Sequence, residues 1–128
     1  MSGRVLAKRR FPRRRFRRPI GVLFDGVYSI GRGEEIGEGG LSIAFNEAFK
    51  EGKNLLVTFA LEDELHVMRG EVRYAKTQGQ EFILGIAFQN ISFKFKKLIR
   101  RYIGAKSEQE LDNERQERAD ILRATDKR

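Results

Sequence analysis

Ile20-Gly21-Val22-Leu23-Phe24-Asp25-Gly26-Val27-Tyr28-Ser29-Ile30 decides the fold class. Two runs of β-branched and aromatic residues flank Asp25-Gly26. A two-residue hairpin loop needs positive φ at both central positions, and Asp-Gly meets that need better than almost any other pair. The segment therefore predicts two antiparallel strands. Downstream, the same grammar repeats. Residues 31–36, with Gly31 and Gly33, read as irregular. Gly37-Glu38-Gly39-Gly40 reads as a tight turn whose glycines supply positive φ angles. Residues 41–45 and 55–61 read as strands, with a loop over residues 46–53 between them. Glu62-Asp63-Glu64 is an acidic turn. Residues 65–75 form a long strand in which Gly70 predicts a bulge or bend. Gln78-Gly79-Gln80 turns the chain into a last strand, with Phe82, Leu84, Ile86 and Phe88 on one face. Consecutive strands joined by short turns make an antiparallel sheet. About six of them, with internal glycines, predict an all-β core: a six-stranded antiparallel β-barrel, which removes exposed sheet edges.

The period changes after Asn90. Phe95, Leu98, Ile99, Tyr102 and Ile103 fall at i, i+3, i+4, i+7 and i+8, one buried face of a helix that packs on or plugs the barrel. Gly104 ends it. Ser107 with Glu110 forms a capping box for a second helix running to about Ala124. That helix is mostly charged, and Leu111, Ile121 and Leu122 are too sparse for a sustained heptad. A solvated helix and a partner-docking helix fit it equally. The expected organisation is a basic arm over residues 1–18, a barrel over 19–90 and C-terminal helices over 91–128.

Upstream of the hairpin lies Lys8-Arg9-Arg10-Phe11-Pro12-Arg13-Arg14-Arg15-Phe16-Arg17-Arg18-Pro19. With Arg4, the first eighteen positions hold nine basic residues and no acid. The chain has 26 basic and 18 acidic residues, a net charge of +8, and removing those nine leaves 17 against 18. The positive charge is local. Like charges packed this closely repel unless an anion neutralises them. Arginine predominates, and its planar fork suits bidentate phosphate contacts and stacking on flat rings. Pro12 and Pro19 disfavour a continuous helix. The arm reads as an extended anion-binding segment. The competing readings are a disordered basic tail, which has little use for Phe11 and Phe16, and a targeting signal, which is disfavoured because Phe11 and Pro19 lead directly into strand-like sequence.

The length fits one domain with its own core. With no cysteine, disulfides and thiolate metal sites are excluded, and a cytoplasmic location is expected. No apolar run approaches the ~20 residues that span a bilayer, so no membrane span is expected. Catalysis is not expected either. His66 is the only histidine and sits mid-strand, where a structural role is the ordinary one. Ser29, Ser42, Ser92 and Ser107 have no activating base nearby. Glu62-Asp63-Glu64 lacks the glycine-centred loop of a calcium site. Gly31-x-Gly33 is followed by no helix and is not a dinucleotide fingerprint. No cofactor or metal is expected. The Gly37–Gly40 turn differs, because its backbone N–H groups stand clear of side chains and can approach a phosphate or a base.

An arginine arm of Arg-x-x-x-Arg form, then Asp/Asn-x-Ser-x-x-Gly, then a six-stranded barrel closed by a helix resembles the PilZ domain family. Arg9-Arg10-Phe11-Pro12-Arg13 matches the first motif, and Glu35-Ile36-Gly37-Glu38-Gly39-Gly40-Leu41 matches the second in position. Gly70-Glu71-Val72 and Gly85-Ile86-Ala87-Phe88 resemble the family's later strands. The resemblance covers residues 8–103 and implies a bacterial receptor for cyclic di-GMP, relaying a signal to a protein partner that the sequence does not identify. It implies Arg9, Arg10, Arg13, Arg14, Glu35, Gly37, Gly39 and Gly40 as ligand-binding residues. Glu35 stands where the family has Asp or Asn, and Gly37 where it has Ser. Each lost polar contact costs roughly 0.5–1.5 kcal/mol, so the resemblance implies micromolar-range binding that loss of Arg9 or Arg13 nearly abolishes. The second function class is a ligand-independent adaptor for a motility, pilus or secretion component, motivated by the missing serine. The third is a nucleic-acid binder in which Phe11 or Phe16 stacks on bases. Nucleic acid is not an expected partner. Such binding would be sequence-blind and lost at moderate salt.

Overall fold

The structure is a computed structural model that describes residues 12–105 and 108–126. Seven strands precede two helices: β1 (Arg13–Arg15), β2 (Pro19–Phe24), β3 (Val27–Gly37), β4 (Gly40–Phe45), β5 (Asn54–Leu61), β6 (Glu64–Gln78), β7 (Glu81–Phe88), α1 (Phe93–Gly104) and α2 (Glu108–Asp126). All pairings are antiparallel. The order β3-β2-β5-β6-β7-β4 closes on itself through a β3–β4 pairing, giving the six-stranded barrel. β1 adds to the far end of β3.

Asp25 and Gly26 both have positive φ, as their hairpin demands. Glu62 and Asp63 do too, so the β5–β6 turn takes the same mirror-image geometry without a glycine. Residues 31–36, expected to be irregular, are strand. Gly33 and Glu35 flank a register shift against β4, and the bulge lets eleven residues serve β2 at one end and β1 and β4 at the other. Gly70 is regular. The irregularity in β6 falls between Val72 and Tyr74. Glycine at position 70 serves space rather than a bend, since a Cβ there would meet the Ile86 methyl at 2.4 Å.

Inward positions of every barrel strand fill the core, with Ile20, Val57, Leu61 and Leu84 fully buried. Phe59 sits at its centre and meets Phe16 and Phe95 at ring separations of 5.6 and 6.1 Å. α1 is started by Ser92, whose hydroxyl accepts the Phe95 N–H at 3.1 Å, a cap worth about 1 kcal/mol. Its Phe95 and Ile99 complete the core. Arg101 donates to Glu62 at 3.1 and 2.8 Å. These bonds hold the Glu62 carboxyl below its ordinary pKa. The tie between α1 and the β5–β6 turn is therefore intact at neutral pH and lost only as pH falls through that lowered value. Ser107 and the Glu110 side chain lie outside the described residues, and with them the expected capping box.

Candidate functional site

The two motifs meet because β1 lies antiparallel beside the end of β3. Arg13 pairs with Gly37, Arg14 with Ile36 and Arg15 with Glu35. Side chains alternate along a strand. Arg13 thus turns to one side, where its guanidinium lies 3.7 Å from the Glu35 carboxylate, and Arg14 turns to the other. There Arg14 donates to the Tyr102 carbonyl at 2.7 Å and lies 4.1 Å over the Tyr102 ring. Arg13 and Glu35 are each about one-third exposed, so this edge of the arm is open to solvent. Arg9, Arg10 and Phe11 lie outside the described residues.

The glycines act by space rather than by dihedral angle. None of Gly37, Gly39 and Gly40 has a positive φ, which corrects the expected reason for their presence. A Cβ on Gly40 would stand 2.0 Å from the Ile86 carbonyl oxygen. Backbone cannot yield there, so glycine is required for β4 to pair with β7. A Cβ on Gly37 would meet the Arg13 side chain and the Pro12 carbonyl at 3.1 Å. The absent serine is therefore matched by a close approach of the arm. Gly39 has open space around it. The bend itself is confined to Glu38 and Gly39.

Three contributors escape a reading of the sequence. Glu38 is buried, and its carboxylate accepts from Arg100 at 2.7 Å. The Tyr102 hydroxyl donates to the Arg15 carbonyl at 3.0 Å, and its ring stands edge-on to Phe16 at 5.7 Å. The last turn of α1 thus grips both the arm and the glycine turn. Nothing local signals this, because Glu38 and Arg100 are 62 positions apart. Phe16 is fully buried, so it cannot stack on a nucleic-acid base. That removes one of the two stacking rings on which the nucleic-acid reading relied.

His66 lies beneath α1, its ring 5.1 Å from Phe95 and 6.0 Å from Phe59. Among the described residues no group of three acidic or histidine side chains could hold a metal, and no helix is long and apolar enough to cross a membrane.

The family model of the PilZ domain matches residues 7–105. No curated protein matches the chain. Solved structures share the fold. The Bacillus subtilis inhibitor of motility (MotI/DgrA) superposes with a TM-score of 0.65 at 13% identity, over 94% of this chain and 53% of that one. Escherichia coli YcgR in complex with c-di-GMP gives 0.63 at 19%, over 90% and 50%. The chain thus spans about half the length of these two proteins. The isolated PilZ domain of Escherichia coli YcgR with c-di-GMP gives 0.58 at 19%, over 88% of this chain and 98% of that domain.

Proposed function

From the premise that the chain belongs to the PilZ domain family, we propose that it is a receptor for cyclic di-GMP that acts on a protein partner. The observation that carries this reading is the register of β1 on β3, which lays Arg13 beside Gly37 and 3.7 Å from Glu35. A cyclic dinucleotide carries two anionic phosphates and two flat guanines. Arginines supply forked donors to the first and stacking planes to the second. Arg9 and Arg13 are the proposed clamp, and Arg10 is proposed as a further ligand-binding residue. Glu35 supplies acceptor oxygens for a guanine edge. Gly39, with open space around it, lets the ligand approach the backbone, while Gly37 admits the arm and Gly40 admits β7 beside it. Arg14 contributes at one remove, by holding the arm against Tyr102.

The domain is proposed to be non-enzymatic and cytoplasmic, with no cofactor besides its ligand. Control of motility is the process suggested by the names of its structural neighbours. A ligand-independent adaptor is the weaker reading, because it leaves the clustered arm arginines beside the glycine turn without a task.

The test is calorimetry with cyclic di-GMP, paired with duplex DNA, at low and moderate salt on one preparation. Binding of the dinucleotide in the micromolar range should survive the salt increase. Only two phosphates are available for charge pairing, and stacking is insensitive to salt. DNA binding should fall with a log–log slope near −0.9 per phosphate engaged. Silence toward the dinucleotide alongside salt-resistant DNA binding would reverse the assignment.

A further inference from the structure

β6 pairs with β5 from Glu64 to Glu71, but with β7 only from Gly70 onward. Residues 64–69 therefore form a free sheet edge on the β7 side. Backbone groups of successive residues point to alternate sides of a strand. The Arg69 carbonyl accepts from Gln89 on the β7 side, and the Val72 N–H donates to Lys53 on the β5 side. By that alternation the N–H and C=O groups of Leu65 and Val67 point off the free edge, where no described residue bonds to them. Natural edges are blunted by charge, proline or a bulge. Leu65 and Val67 are instead apolar and exposed, at 73% and 58%, and the bulge of β6 comes later in the strand.

α1 faces this hairpin across a cleft of about 840 Å³ that takes no part in the proposed ligand site. The volume lies in the range of clefts that take one well-defined occupant. His66 and Met68 line it from β6, and Phe95 and Leu98 from α1. His66 Nε2 is buried and has no hydrogen-bond partner among the described residues, since Glu64 at 4.0 Å is too far to serve as one. An extended segment laid along β6 would bond to Leu65 and Val67 and send alternate side chains into the cleft. Charge narrows the occupant. α1 carries five basic residues and no acid. Arg100 is matched by Glu38 and Arg101 by Glu62. Lys94 and Lys97 border the cleft with no anionic partner among the described residues. The first turn of α1 also lacks an acid, although negative charge is stabilising at a helix N-terminus. Residues 1–11 do not match, since they hold four basic residues and no acid. Nor does α2, a helix whose Asp112, Glu117 and Asp120 are already paired.

We propose that this edge and cleft are the docking site for the protein partner. An extended segment of the partner, alternately apolar and acidic, adds to β6 as an antiparallel strand. Its apolar side chains enter the cleft against Met68, Phe95 and Leu98, and its acids remain at the rim with Lys94 and Lys97. Antiparallel addition continues the pairing sense of every strand in this sheet and is slightly the more stable per residue. In an antiparallel pair, residues that exchange hydrogen bonds carry their side chains on the same face. Leu65 and Val67 point outward, so the partner residues bonded to them are the acidic ones. The docking site rests on the reading above that the domain acts on a protein partner, and adds the chemistry by which that partner is recognised.

Fluorescence anisotropy of the full chain with a labelled, end-blocked hexapeptide alternating valine and glutamate tests it. The peptide should bind, more weakly as salt rises. N-methylation at the glutamates removes the N–H groups that donate to the Leu65 and Val67 carbonyls and should weaken binding by about tenfold or more. N-methylation at the valines, whose N–H groups point away from β6, should leave affinity within about twofold. The double variant Lys94→Glu/Lys97→Glu should cost about tenfold or more. Val67→Pro should abolish binding with an unchanged thermal melt, because proline is tolerated where the N–H faces off a sheet edge and its ring occupies the place of the added strand. The methylated peptides test wild-type protein and so do not depend on how a variant folds. No binding of the unmodified peptide, or equal binding of the glutamate-methylated one, overturns the proposal. Cyclic di-GMP calorimetry on the same preparation separates the two readings. Nucleotide binding without peptide binding removes the docking site alone, and peptide binding without nucleotide binding keeps the docking site and removes the receptor.

Discussion

Replacing Arg13 with alanine is expected to abolish detectable cyclic di-GMP binding while leaving the fold intact. A hydrogen bond to a charged group contributes about 1.5–3 kcal/mol. A forked pair lost together with its stacking plane then exceeds a hundredfold in affinity, which carries a micromolar ligand beyond calorimetric reach. Arg13→Lys should restore little, because an ammonium can neither fork nor stack in the same way. The folded protein loses only a partly exposed ion pair at 3.7 Å with Glu35, and such pairs are worth less than about 1 kcal/mol. The melting temperature should therefore move by no more than about 4 °C. Arg14→Ala is the internal control. Its guanidinium is committed to the Tyr102 carbonyl and ring, so its loss should weaken the ligand less than loss of Arg13 does. Equal losses for the two would show that β1 is not held in this register when the ligand binds. Unchanged affinity for Arg13→Ala would remove the first motif from the site.

What could be read from the sequence was what rests on neighbouring residues. Asp25-Gly26 announced its hairpin because the turn's φ requirements are local, and the alternation from Phe82 to Phe88 announced its strand. The α1 face through Phe95 and Ile99 followed from a period of 3.6. Gly31 and Gly33 suggested irregular structure because glycine weakens a strand. Here Gly31 pairs with Ile20 of β2 and Gly33 with Ile43 of β4, and pairing partners cannot be seen from one strand. The glycine turn was located correctly but for the wrong reason. Dihedral freedom is a local property, whereas the constraint on Gly40 is the Ile86 carbonyl 2.0 Å from its missing Cβ, 46 residues away. The arm's composition pointed to an anion. Its alternation could not be used to separate Arg13 from Arg14 until β1 was known to be a strand. Tyr102, Glu38 and Arg100 could not have been found, because their partners lie at long sequence separation.

Phe16→Ala should cause the largest loss of stability among substitutions in the arm. Composition alone placed this ring within a run of exposed arginines, yet it is fully buried. It packs edge-on to Phe59 in the barrel centre and to Tyr102 at the end of α1. The Phe16 backbone is fixed as well, its N–H donating to the Glu34 carbonyl at 2.9 Å. Truncation of a buried phenylalanine costs about 3–5 kcal/mol, a large share of the 5–15 kcal/mol that stabilises an ordinary domain. The melting temperature should fall by more than about 10 °C, and Phe16→Leu should recover most of that. Ligand binding should weaken in parallel even at temperatures where the barrel remains folded. Phe16 is the anchor that seats Arg13 beside Gly37, and without it the ordering of the arm would be charged against the binding energy. The two arm variants thus separate by signature: Arg13→Ala loses affinity at constant melting temperature, and Phe16→Ala loses both. A thermal shift below about 3 °C for Phe16→Ala would mean that the arm is not anchored in the core, and that the positioning of Arg13 has another cause.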